Sequence, residues 1–296
     1  MKPEPRQKVC CGRSDMPDWF KANGRVAEVV VDDRGLQYGD GLFETIAIRN
    51  GAPRLWDSHM TRLRRGCDVL GIEMPPEPEL LDGVLRAVEV SNVTAAYAVT
   101  KIILTAGIGL RGYGRVTAKS PSVLFGAFVA NPVATKLYRE GAEVVLCKTR
   151  LASSSALAGI KTLNRLEQVL ARSEIIGSKA FEGLTMDADN NIICGTMSNV
   201  FFVQKNVLST AALERCGVAG VMRRHVIETL SEQGIETELR HTTSTELSAV
   251  DEIFLCNSQF GLLPVRQCGE HQWPVGELTR TAMAALAENG IRECRL

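Results

Sequence analysis

Hydrophobic and polar positions along the 296-residue chain follow two rhythms, one of strands and one of helices. The apolar run Val26–Val31 reads as a strand, ended by the turn-formers Asp32-Asp33-Arg34-Gly35. Leu42 to Ile48 is a second strand, and Asn50-Gly51 behind it is a two-residue hairpin signal. Leu55 resumes the sheet before a helix capped by Asp57 or Ser58. Its apolar residues Met60, Leu63, Cys67 and Leu70 recur at helical spacing, and Gly71 ends it. A helix over 78–90 precedes strands near Tyr97–Leu104 and Ser122–Val129.

Beyond Asn131-Pro132-Val133, strands are expected near Ala142–Lys148, Ile192–Ile193, Asn199–Val203 and Glu252–Cys256. Helices are expected over 163–176 and 220–233, and close to the C-terminus. Strands and helices mix without a β-α-β rhythm, and no glycine-rich dinucleotide fingerprint follows a strand. The fold class is therefore α+β. The pattern divides the chain into a polar, proline-bearing extension (1–16) expected to be disordered, a smaller domain (17–130), a linker (131–136) and a larger domain (137–296).

Composition narrows the function. Hydrophobic residues make up 45% and charged residues 23%, which supports a substantial core. Lys plus Arg equals Asp plus Glu, 34 each, so nothing points to nucleic acid or an anionic membrane as partner. Nine cysteines show no metal-type spacing, so no metal site is expected. Without a signal peptide or an apolar run of membrane-spanning length, the reading is a reduced, cytoplasmic protein acting on a small molecule.

The chemistry concentrates around Lys161. It follows Ala158-Gly159-Ile160 and opens a run in which Leu163, Leu166, Val169 and Leu170 fall at helical spacing. A lysine between apolar neighbours at a strand-to-helix junction is partly desolvated, which lowers its pKa and frees the amine for imine chemistry. The glycine-bearing turn Gly217-Val218-Ala219-Gly220 feeds a helix whose first N–H groups, at Val221 and Met222, suit an anion.

The run LAGIKTLNRLEQVLARSE around Lys161 resembles that of the aminodeoxychorismate lyases. These belong to the fold-type-IV class of pyridoxal-phosphate (PLP) enzymes, which also holds the branched-chain and D-amino-acid aminotransferases. The likeness extends from Trp19 to the C-terminal region. It implies a two-domain fold with the active site in the interdomain cleft, a homodimer, and PLP on Lys161. It implies Arg62 and the Val221–Met222 turn as phosphate ligands, with Asn257-Ser258-Gln259 as a second phosphate-side loop.

One position departs from the family pattern. Where a glutamate normally meets the pyridine nitrogen, in E-x-x-x-x-N-x-F, this chain reads Cys194-Gly195-Thr196-Met197-Ser198-Asn199-Val200-Phe201. A neutral thiol cannot hold the ring proton by charge, so weaker cofactor binding and a poorer electron sink are expected.

Two features resemble the lyase branch. Thr45 follows Phe43-Glu44 where branched-chain aminotransferases tend to carry glycine, and it is assigned to proton transfer, with a strand threonine chosen for β propensity as the plainer reading. Arg111-Gly112-Tyr113 matches the lyase's Arg-Gly-Tyr motif, which implies that Arg111 and Tyr113 bind substrate carboxylate. The implied reaction converts 4-amino-4-deoxychorismate to 4-aminobenzoate and pyruvate, with Lys161 removing the proton. A D-amino-acid or branched-chain aminotransferase is the first alternative, and a homologue degenerate at Cys194 the second.

Overall fold

The computed structural model describes residues 19–21, 27–91, 93–115 and 120–295. The expected disordered extension lies outside the described residues, as does Val26. Two sheets, each with its own hydrophobic core, organise what is described.

The first sheet has the order β1-β5-β4-β2-β3, all antiparallel. Its strands are β1 (Trp19–Phe20), β2 (Gly41–Arg49), β3 (Ala52–Pro53), β4 (Tyr97–Thr105) and β5 (Ser122–Val129). Asn50 and Gly51 turn β2 into β3 with positive φ angles of 52° and 81°, as the dipeptide leads one to expect. Three helices accompany it: α1 (Arg34–Tyr38), α2 (Trp56–Leu70) and α3 (Glu77–Val90). Met60, Leu63 and Cys67 of α2 are buried in one cluster with Leu42, Ile46 and Ile48 of β2. Close packing leaves no room for a side chain at Gly83 of α3, where a Cβ would meet the Phe125 ring at 2.3 Å.

The second sheet contains β6 (Ala142–Arg150), β7 (Glu182–Met186), β8 (Ile192–Gly195), β9 (Asn199–Gln204), β10 (Val207–Thr210), β11 (Thr237–Leu239), β12 (Glu252–Asn257), β13 (Gly261–Cys268) and β14 (His271–Gln272). Its path runs β11-β10-β9-β12-β13-β6-β7-β8, and a β8–β9 pairing closes six of these strands into a ring. Cys194 and Asn199 form that closing pair. Four helices accompany these strands: α4 (Thr135–Glu140), α5 (Leu166–Ser173), α6 (Val221–Ser231) and α7 (Glu277–Glu288). The core is largely β12 and β13 against α6 and α7, with the Phe201 and Phe254 rings stacked 4.8 Å apart.

Three expectations are corrected. Residues 27–31 are not a strand; Val29, Val30 and Val31 lie exposed beside a cavity, and Asp33 caps α1 through its own carboxylate. Helix α2 starts at Trp56 with Leu55 as its N-cap and no side-chain cap bond, so neither Asp57 nor Ser58 caps it. The helix after Lys161 starts only at Leu166, because residues 161–163 first pair with β2. The apolar stripe of α5 faces outward, with Leu166, Val169 and Leu170 exposed.

Candidate active site

Between the two sheets lies a cavity of about 380 Å³, within the range of small-molecule sites. Its wall is drawn from both: Phe43 and Thr45 of β2, Arg62 of α2, the segment around Lys161, the β8–β9 turn, the start of α6 and the loop after β12. A larger cavity, about 640 Å³, is lined by Leu163 together with Val29, Val30 and Leu36 and has a mainly apolar wall. The smaller one holds the convergent reactive groups.

Lys161 reaches it through backbone pairing. Its carbonyl accepts from Phe43 N at 3.1 Å, and Leu163 N donates to Gly41 O at 2.9 Å, which fastens this segment to β2. The amine sits 4.2 Å from the centre of the Phe43 ring. Burial, reinforced by the Arg62 charge and opposed by Glu44, pushes its pKa down to about 7.

Arg62 is held by a buried carboxylate. Its Nε and Nη2 donate to Glu44 at 2.8 and 2.5 Å, and its Nη1 donates to Ala219 O at 3.1 Å. Glu44 is 1% exposed and also lies 2.6 Å from His59 Nδ1. Burial would raise the Glu44 carboxyl, but Arg62 and His59 outweigh it and hold it down at about 2. Burial depresses the His59 pKa against the pull of Glu44, so the neutral ring donates from Nδ1.

At the other end of the cavity, burial pushes the Cys194 thiol up to about 11, although the Thr185 hydroxyl 3.4 Å away and the Arg165 charge oppose it. It is a neutral thiol at pH 7. The turn beyond it is shaped by the buried Glu182, which accepts from Thr196 Oγ1 at 2.5 Å, Ser198 Oγ at 2.9 Å and Met197 N at 3.1 Å.

Val221 and Met222 occupy the first turn of α6, whose N-cap, Gly220, brings no side chain to its open N–H groups. Asn199 Nδ2 donates to Val218 O at 3.0 Å, and a Cβ on Gly220 would come within 2.0 Å of Asn199 Oδ1. Glycine is therefore required at this close approach. Asn257, Ser258 and Gln259 line the same cavity, with Ser258 Oγ donating to Thr45 O at 3.0 Å.

Of the residues singled out in the sequence, Lys161, Thr45, Arg62, Cys194, Val221, Met222, Asn257 and Ser258 share this cavity. Arg111 and Tyr113 do not. Their loop is pinned over α1 by Arg34, which donates to Gly112 O and Tyr113 O at 2.9 Å each, and Tyr113 is 88% exposed. Sequence reasoning missed Glu44, His59, Lys101, Arg165 and Gln168. Lys101 lies 4.7 Å from the Phe43 ring centre, and burial lowers its pKa. For Glu44 a signal existed: it falls on the same face of β2 as Leu42, Ile46 and Ile48, an acidic residue in an apolar series.

The donor set suits a phosphorylated cofactor. Arg62 retains N–H groups beyond its three bonds, the α6 N-terminus is open, and Lys161 has an amine available near neutrality. Three buried polar atoms on the cavity wall have no partner: Arg165 Nε, Gln168 Oε1 and Gln259 Oε1. A resident ligand would give them one.

Comparison with known proteins agrees. The family model "Amino-transferase class IV" matches residues 41–268. The aminodeoxychorismate lyase of Vibrio harveyi is 35% identical over 256 residues, covering 85% of this chain and 93% of that protein. The D-alanine aminotransferase of Bacillus licheniformis is 27% identical over 280 residues, covering 92% and 96%. The crystal structure of the Pseudomonas aeruginosa 4-amino-4-deoxychorismate lyase superposes with a TM-score of 0.84 at 40% identity, covering 93% of this chain and all of that one.

Proposed function

Because the chain belongs to the class IV aminotransferase family, whose cofactor is PLP, we propose that it is an aminodeoxychorismate lyase releasing 4-aminobenzoate and pyruvate from 4-amino-4-deoxychorismate. The observation that carries this reading is the Lys161 amine, held near neutrality in a cavity that also offers an anion-binding helix start. Two lyases, at 35% and 40% identity, favour this chemistry over amino-group transfer.

When bound, PLP supplies the electron-withdrawing ring that acidifies the C–H beside the substrate amine. The protein's own groups do the rest. Val221 N, Met222 N and Arg62 would hold the cofactor's phosphate, with Asn257 and Ser258 alongside. Lys161 Nζ, partly unprotonated at pH 7, accepts the proton from the amine-bearing carbon. The bond from the neighbouring carbon to the enolpyruvyl oxygen breaks as the ring becomes aromatic, and the departing enolate takes up a proton at its methylene carbon to become pyruvate. Thr45, on the cavity wall, assists that proton transfer.

A homodimer fits the remaining features. Val29, Val30, Val31, Leu36 and Ile108 expose apolar surface around the larger cavity, near the loop bearing Arg111 and Tyr113. A second copy covering that face would bury this apolar surface. A cytoplasmic setting agrees with the seven described cysteines, all free and buried. No described helix is long and apolar enough to cross a membrane.

The test is borohydride reduction of the PLP-loaded protein with peptide mapping, followed by a 4-aminobenzoate release assay. The adduct is expected on Lys161, and Lys161→Ala should lose both adduct and product. Full lyase activity in Lys161→Ala would overturn the reading. Conversion of the cofactor to its amine form by D-alanine, with no 4-aminobenzoate formed, would assign an aminotransferase instead.

A further inference from the structure

The wall of the active-site cavity carries three basic side chains, Arg62, Lys161 and Arg165, and no carboxylate among the described residues. Arg62 is neutralised by Glu44 and adjoins the α6 start. Arg165 has no such partner. Its Nη2 donates to Thr162 Oγ1 at 3.0 Å, its Nε is buried without an acceptor, and none of the described ion pairs includes it.

Arg165 and Cys194 act on each other electrostatically, and both line the cavity. The carboxylates in range of Cys194 are committed elsewhere. Glu182 is taken up by Thr196, Met197, Ser198, Gly183 N and Arg172. Glu167 accepts from Ala152 N and lines a neighbouring cavity of about 290 Å³. The cavity wall at Cys194 is thus a neutral thiol beside a guanidinium that no described carboxylate contacts, Glu167 acting on it only from a distance.

Resting on the PLP reading above, we propose that Arg165 is the group that meets the cofactor's ring nitrogen, donating an N–H to its lone pair and keeping it unprotonated. A guanidinium has only donors, and an unprotonated pyridine nitrogen is an acceptor, so each satisfies the other. A nearby cation also disfavours a protonated ring. The consequence is reaction specificity. Amino-group transfer needs the carbanion to survive until it is reprotonated at another carbon, which a neutral ring supports poorly. Elimination expels its leaving group at once and gains aromaticity. Arg165 and Cys194 together thereby select lyase over aminotransferase chemistry.

The test is ¹⁵N NMR of the protein loaded with PLP labelled at the ring nitrogen, titrated with pH. Borohydride mapping of Lys161 serves as the control. Wild type and Arg165→Lys should give the neutral-pyridine signal at pH 7.5. Arg165→Gln should raise the protonation midpoint by about one to three pH units, the effect of a charge at contact range. Cys194→Glu should move the signal to the pyridinium position and raise the ratio of D-alanine amino-group transfer to lyase turnover about tenfold or more.

A pyridinium signal in wild type with the adduct intact on Lys161 overturns this inference and leaves the PLP reading standing. An unchanged midpoint in Arg165→Gln also overturns it. Should that variant not fold, the wild-type signal and the Cys194→Glu displacement still decide. Absence of any adduct on Lys161 overturns the PLP reading, and this inference with it.

Discussion

Glu44→Gln removes the one carboxylate on which His59 and Arg62 converge, and the structure gives the cost. The Glu44 carboxyl falls from an ordinary 4.5 to about 2 in the folded protein. At about 1.4 kcal/mol per pH unit this corresponds to about 3 kcal/mol of native-state preference for the charged form. That agrees with the roughly 3–5 kcal/mol lost when one partner of a buried ion pair is removed. Because the folded pKa lies below the unfolded one, the contribution is fully present above pH 4.5 and is lost as pH falls through 2. Urea unfolding of the cofactor-free protein at pH 7 should therefore show Glu44→Gln less stable by about 3 kcal/mol. The gap between variant and wild type should narrow steadily from pH 4.5 downward. A gap under about 1 kcal/mol at pH 7, the worth of a surface pair, would refute the claim that this carboxylate is a buried anchor for Arg62. So would a gap that does not change with pH.

Three further outcomes follow from the same geometry. With the Lys161 amine at about 7, its capture of PLP by the cofactor-free protein should slow about tenfold per pH unit below 7 and level off above 8, as read by stopped-flow absorbance. Gly220→Ala drives a Cβ to within 2.0 Å of Asn199 Oδ1, so either the α6 start or the Asn199 amide that holds Val218 O must shift; PLP affinity measured by equilibrium titration should fall at least about tenfold, roughly 1.4 kcal/mol. Glu293 is half-buried between Arg49 and Arg54, each 2.7 Å away, and Arg54 also donates to Ser258 O at 2.6 Å. Glu293→Ala should cost about 3 kcal/mol in urea unfolding and weaken PLP binding through the Ser258 loop.

Much of the molecule was legible because its patterns are local. The alternation of β2, the Asn50-Gly51 hairpin and the Ser122–Val129 strand are written in adjacent residues. What escaped depends on partners distant in sequence. Val29 to Val31 carry strand-forming side chains, but none of the described strands pairs with them. The helix after Lys161 is delayed because Thr162 bridges to Leu42, a contact spanning 120 positions that no periodicity encodes. Lys161 was conspicuous for its apolar neighbours. Arg165 was not, since an arginine at a helix start is ordinary until its surroundings show its Nε buried without an acceptor. Arg111 and Tyr113 were named from a motif resemblance, and the chain places them on an exposed loop away from the cavity.

The fastening of residues 161–163 to β2 gives the cleft its own clock. Two amides do the clasping, Phe43 N–H toward Lys161 O and Leu163 N–H toward Gly41 O. Separating the β2 edge from the lysine segment must release both, while Val221 and Met222 stay with α6. Two residues before the lysine, Gly159 N–H donates to Gly217 O and Ala219 N–H donates to Gly159 O, so the segment bearing the amine is tied to β2 on one side and to the turn that opens α6 on the other. Deuterium uptake at Phe43 and Leu163 counts those openings one by one, and a ligand bridging lysine and helix start would slow both amides in step.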